Sequence, residues 1–80
     1  MKVRVTIDRR GEIADPEGAT VQRALQDLGF AEVQEVRMNR VIDLQVDGDD
    51  PETVRRRVVE MCRQLLANPV LEDFEVEIIG

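Results

Sequence analysis

Residues 50–72, D-P-E-T-V-R-R-R-V-V-E-M-C-R-Q-L-L-A-N-P-V-L-E, constrain this chain more than any other stretch. Val54, Val58, Met61, Cys62 and Leu65 recur at i, i+4, i+7, i+8 and i+11, which places one apolar stripe along a helix. Asp50 can accept the first unpaired N–H groups, and Pro51 suits a first helical position where a missing N–H costs nothing. Asn68-Pro69 ends the run, because the residue before proline is pushed out of the α region and Asn tolerates a left-handed terminus. A stripe this narrow must lie on something. The rest of the chain supplies a sheet.

Residues 2–8 alternate strictly. Val3, Val5 and Ile7 face one way, and Lys2, Arg4, Thr6 and Asp8 the other, as in a strand with one wet side. Residues 9–12, Arg-Arg-Gly-Glu, break the pattern and read as a loop. Asp15-Pro16-Glu17 then repeats the cap, proline and first-turn acid of a helix start. Val21, Ala24, Leu25 and Leu28 follow at helical spacing, and Gly29 stands where a left-handed residue closes a helix. Gly18 in the first turn weakens that helix by up to about 1 kcal/mol relative to Ala, which points to a close backbone approach there.

Residues 33–38 and 41–47 read as two strands of a hairpin. Val36 and Met38 share one face of the first, and Ile42, Leu44 and Val46 one face of the second. Asn39-Arg40 would be the two-residue turn, with Asn at positive φ. Asp47-Gly48-Asp49 leads into the second helix. Residues 73–79 form the last strand, with Phe74, Val76 and Ile78 inward and Glu75 and Glu77 outward. The order β-α-β-β-α-β predicts one α+β domain over residues 1–80. It is a two-layer, ferredoxin-like antiparallel sheet with both helices on the Val3/Val5/Ile7 face. The opposite face then carries Arg4, Thr6, Arg37, Asp43, Gln45, Glu75 and Glu77.

A chain of 80 residues buries only about 60% of the surface its unfolded form exposes, so one core of this size is marginal. Cys62 is the only cysteine and histidine is absent, which excludes a disulfide or a structural zinc site within the chain. Association with a second chain is the expected remedy, and it would also cover the sheet's edges. The net charge of −6 disfavours binding along a phosphate backbone, so no nucleic-acid partner is expected. No stretch approaches the roughly 20 apolar residues of a membrane span, and the N-terminus lacks a signal-peptide core. The expected location is the cytoplasm.

No catalytic constellation emerges. Cys62 sits on the apolar stripe and reads as a packed thiol with no base beside it. Neither a G-x-x-x-x-G-K-[ST] nor a G-x-G-x-x-G run is present. Asp47-Gly48-Asp49-Asp50 lacks the spacing of a calcium loop and reads as a turn plus a helix cap. Arg55-Arg56-Arg57 is either a solvated helix face or a docking patch for an acidic surface. An RNA-recognition domain of this strand order would stack bases on sheet aromatics, yet Phe30 and Phe74 are the only aromatics here. A metallochaperone would need a second cysteine. An acylphosphatase-like enzyme would need a longer phosphate loop than Arg9-Arg10-Gly11 begins. A small-ligand regulatory domain and a non-catalytic assembly subunit stay open.

Asp15-Pro16-Glu17-Gly18, Val21, Ala24-Leu25, Leu28-Gly29, Glu32-Val33, Val36-Arg37 and the run Met61-Cys62-x-x-Leu65-Leu66-Ala67-Asn68-Pro69-Val70-Leu71-Glu72 together resemble the PurS family. PurS is the small subunit of phosphoribosylformylglycinamidine (FGAM) synthase. Asn39-Arg40 replaces a typical Gly-Lys, and Phe74 a common Tyr. The resemblance implies a dimer or higher homo-oligomer with no cofactor of its own. It also implies a bridge between a large synthetase subunit (PurL), which uses ATP and Mg, and a glutaminase subunit (PurQ). Asp15, Gly18, Arg37, Arg40 and Asn68 are the residues expected to shape those interfaces.

Overall fold

A computed structural model describes residues 1–11 and 13–80; Glu12, assigned above to the first loop, lies outside the described residues. The elements are β1 (Lys2–Arg9), α1 (Pro16–Asp27), β2 (Arg40–Gln45), α2 (Pro51–Met61) with a π-helical turn (Cys62–Leu66), and β3 (Glu72–Ile78). Among the described residues the sheet has three strands in the order β2-β1-β3, antiparallel throughout. Val3 stands opposite Leu44 and Ile78, and Val5 opposite Ile42 and Val76, so the expected apolar face forms in register. The α+β class with an open antiparallel sheet and two helices is as expected.

Both helix starts form as the sequence predicts. Asp15 accepts from the Gly18 N–H and Asp50 from the Glu52 N–H, with proline in each first turn. Gly29 takes φ 104°, the left-handed conformation that glycine adopts without cost. On α2, Val54, Val58 and Cys62 pack on Val3, Val5 and Ile7, and Ala67 completes this small core.

Two expectations fail on α2. Met61 is partly exposed, and Leu65 is 83% exposed rather than part of the stripe. For Leu65 the cause is the π turn, which begins after Met61. The Ala67 N–H bonds to the Cys62 carbonyl at 3.0 Å, five residues back, so Ala67 stacks over Cys62 and takes the place that α-helical phase gives Leu65.

The larger departure lies in residues 28–39. Residues 33–38 pair with no strand, and Asn39-Arg40 is not a turn. Among the described residues no non-glycine has positive φ, and no turn or bend interrupts residues 33–45. Nor does α1 lie on the sheet. It makes no substantial packing contact with the sheet or with α2, so a single helix covers the apolar face. Residues 33–38 instead run back along α1 as a strap. Contacts from Asp15 to Met38 and from Gln26 to Val33 match 11 residues of helix to five of strap. At 1.5 and 3.3 Å per residue both lengths are about 16.5 Å, so the strap is extended like a strand. Helix and strap form an arm. The molecule measures 50 × 26 × 14 Å with a radius of gyration of 16.0 Å, against about 12 Å for a compact chain of this length.

Candidate functional site at the base of the arm

The five residues singled out in the sequence all lie where the arm leaves the body. One oxygen of Asp15 caps α1 through the Gly18 N–H at 3.0 Å, and the other accepts the Met38 N–H of the strap at 2.8 Å. The Met38 and Gly18 N–H groups hold the Asp15 carboxyl below the usual carboxylate range. Gly18 is buried because the Val36 carbonyl lies directly over its Cα, where any Cβ would collide. The close approach inferred from its position in the first turn is real. Farther along, the Gln22 side-chain amide donates to the Gln34 carbonyl and that of Gln26 to the Val33 carbonyl.

Arg37 fastens the strap to the body. Its guanidinium donates to the carbonyls of Arg9, the last residue of β1, and Arg10, the next, at 2.8 and 3.0 Å. It therefore braces the arm instead of lying on the open sheet face, where the sequence reading put it. Arg40 meets Glu72 in a two-pronged ion pair at 2.8 and 3.0 Å and also donates to the Leu66 carbonyl. Glu72 also accepts the Asn68 N–H at 2.8 Å, while the Asn68 side chain accepts from the Val70 N–H and its carbonyl from the Leu71 and Glu72 N–H groups. The Arg40 guanidinium, then the Asn68 N–H, hold the Glu72 carboxyl below its ordinary range. The fork couples the first residue of β2 to the corner that ends α2.

Sequence reasoning missed Glu72, the hub of this network. The signal was present: Glu72 falls in the same alternating phase as Phe74, Val76 and Ile78, so a carboxylate stood on the inward face of β3. Gln22 and Gln26 gave no comparable sign. Elsewhere, a shallow cavity of about 390 Å³ opens beside the 47–50 loop, lined in part by Asp50, Thr53, Arg57 and Met61. No group of side chains placed to hold a metal ion occurs among the described residues. No helix among them is long and apolar enough to cross a membrane.

Fold and site together define an open-faced antiparallel α+β domain carrying a braced helix-and-strap arm. The family model described as "PurS: Phosphoribosylformylglycinamidine (FGAM) synthase" matches residues 2–80, and the chain belongs to that family, which serves purine biosynthesis. The PurS subunit of Methanocaldococcus jannaschii is 44% identical over 77 residues, covering 96% of this chain and 93% of the relative. That of Bacillus subtilis is 38% identical, covering 96% and 90%. The crystal structure of the M. jannaschii protein superposes with a TM-score of 0.85, covering 95% of this chain and 92% of that one. A chain in the structure of PurLQS from Thermotoga maritima matches with a TM-score of 0.85 at 32% identity, covering 95% and 93%.

Proposed function

We propose that this chain is a non-catalytic assembly subunit that holds the synthetase and glutaminase subunits of FGAM synthase in register. The observation that carries this reading is the near end-to-end match to a chain of the Thermotoga maritima PurLQS structure. On this reading the partners are a PurL-type subunit, which uses ATP and Mg, and a PurQ-type subunit, which releases ammonia from glutamine. The chain itself holds no cofactor and works in the cytoplasm. Ammonia reaching bulk water is diluted and protonated, so its source and its acceptor must be docked. A rigid domain can dock them without chemistry of its own. A pair of such chains is the unit that docks, because one copy leaves Leu28 and Phe30 of the arm exposed.

Reconstitution tests this. Added to the two partner subunits, the protein raises glutamine-dependent turnover far more than ammonia-dependent turnover, and alone it has neither glutaminase nor ATPase activity. Equal glutamine-dependent turnover with and without it overturns the reading.

A further inference from the structure

Among the described residues β3 bonds only to β1, which leaves its far side as a free edge. The Ile79 N–H reaches the Lys2 carbonyl and the Leu71 carbonyl accepts the Arg10 N–H, so by alternation residues 73, 75 and 77 aim their backbone groups at β1. Those of Phe74, Val76 and Ile78 point outward along about 13 Å of strand. One flank of α2 stands over this edge. Arg55, Val59 and Arg63 share it at i, i+4 and i+8, and the Arg55 guanidinium donates to the outward Val76 carbonyl at 2.6 Å. Phe74, Val76 and Ile78 turn their side chains to the same side and, like Val59, are only half-buried. Where β3 begins, the groove widens to an open cavity of about 410 Å³, lined in part by Arg10, Arg63 and Phe74. Arg10 is held by Asp73 and the Pro69 carbonyl. Arg55 and Arg63 make no ion pair among the described residues.

We propose that the free edge of β3 docks an extended, carboxylate-bearing segment of a different subunit, which adds to the sheet as a strand beneath Arg55 and Arg63. This rests on the assembly role proposed above and names a surface through which a partner attaches. Main-chain bonds to the edge would supply affinity, and the α2 arginines would supply selectivity.

Charge and spacing describe the segment. Arg55 already occupies the middle acceptor of the edge, so a neutral strand would have to displace that guanidinium and leave it unpaired. A carboxylate gives Arg55 a charge-assisted bond in its place and frees the Val76 carbonyl for the ladder. Arg55 therefore closes the edge to strands in general and opens it to an acidic one. Arg55 and Arg63 lie eight residues apart, about 12 Å along the helix, and residues i and i+4 on one face of a strand are about 13 Å apart. Two carboxylates at that spacing reach both arginines, with an apolar residue between them over Phe74 and Val76. The other face of the segment meets the exposed Glu75 and Glu77, so its intervening residues are basic or neutral. A second copy of β3 does not fit this description. Antiparallel pairing about a two-fold axis would set Glu75 and Glu77 beside their own counterparts, and Arg55 beside Arg55.

Amide exchange and binding to the PurL-type and PurQ-type subunits test this together. In the complex, the amides of residues 74–78 are expected to exchange about tenfold or more slowly than in the protein alone. The double variant Arg55→Gln with Arg63→Gln, its fold checked by urea titration, is expected to bind the partner subunits about tenfold or more weakly than wild type, with a flatter dependence on salt. Suppose the partners bind wild type, but residues 74–78 exchange as fast as in the free protein and the double variant binds equally well. The docking edge is then overturned and the assembly role survives. If neither subunit binds wild type, both fall. If residues 74–78 gain their protection in the protein alone as its concentration rises, the occupant is a second copy and the proposal is overturned.

Discussion

Gly18→Ala is the sharpest probe of the arm. In an exposed helix interior the change from Gly to Ala stabilises by about 1 kcal/mol, since alanine restricts the unfolded chain and is the best helix former. Here the sign is expected to reverse. The new Cβ would sit far inside van der Waals contact with the Val36 carbonyl and 2.9 Å from an Asp15 carboxylate oxygen. The main obstacle is backbone, so no side-chain rotation relieves it. Either the strap moves off α1, loosening the 2.8 Å bond from Met38 to Asp15, or the first turn of the helix distorts. Overpacking of this kind costs about 1–3 kcal/mol, and with backbone as the obstacle the upper part of that range applies. Set against the helical gain, the net is a loss of about 1–2 kcal/mol, or roughly 5- to 30-fold in the opening equilibrium of the arm.

Amide hydrogen exchange reads this locally: protection over residues 18–28 falls by that factor in Gly18→Ala, while β1 and β3 keep theirs. Gly11→Ala is the control, because a Cβ there meets nothing within 4 Å, and its effect should stay within about 0.5 kcal/mol. A Gly18→Ala protein whose α1 amides exchange as slowly as wild type, or more slowly, would refute the claim that the strap is seated on this helix.

The remaining expectations concern the body of the fold. Glu72 is held below its ordinary 4.5 by Arg40 and the Asn68 N–H, so it favours the folded state when ionised. That contribution is complete above about pH 5.5 and is lost as the pH falls through the depressed value, so Glu72→Gln should flatten the stability profile below about pH 5; parallel profiles would contradict the fork. Val58→Ala, at a fully buried site, should cost about 2 kcal/mol in urea titration, whereas Leu65→Ser should stay within about 0.5 kcal/mol because Leu65 is 83% exposed. Equal losses would mean that the π turn is absent in solution. Burial pushes the Cys62 thiol above its usual range, so an aromatic disulfide reagent should react with it only at the rate of unfolding.

The three strands of the sheet, both helix starts and the Val54, Val58 and Cys62 part of the α2 face were readable because each follows from a repeat or a cap that a few neighbouring residues define. Alternation set β1, and D-P-E and D-P at the two helix starts set the caps. Leu65 was misplaced because a stripe extrapolated at 3.6 residues per turn assumes a uniform helix. One widened turn, closed by the bond from Ala67 to Cys62, shifts the phase of everything after it. Asp15, Gly18, Arg37, Arg40 and Asn68 were expected to shape interfaces from their caps, their charge or the family resemblance, and what the structure shows of each is a contact within the chain. The fork from Arg40 to Glu72 was not foreseeable, since the two stand 32 positions apart in sequence.

The hairpin error has a deeper cause. Local rules score a strand by the pattern that pairs with a neighbour, and they score it identically whether the neighbour belongs to the same chain or another. Val36, Met38, Ile42 and Leu44 ask to share a face. Asn39-Arg40 lets the backbone turn but does not compel it, because neither residue is glycine and Arg is a poor second turn residue. What tips the balance is distant in sequence: Arg37 donating to the Arg9 and Arg10 carbonyls and Arg40 clasping Glu72 both favour the straight path. A double variant, Arg37→Gln with Arg40→Gln, keeps the strap sequence intact but frees the hinge, and its monomer fraction at a fixed concentration should rise above that of wild type. If sedimentation shows the double variant as dimeric as wild type, the straight path is dictated by the pairing itself, and the braces only follow it.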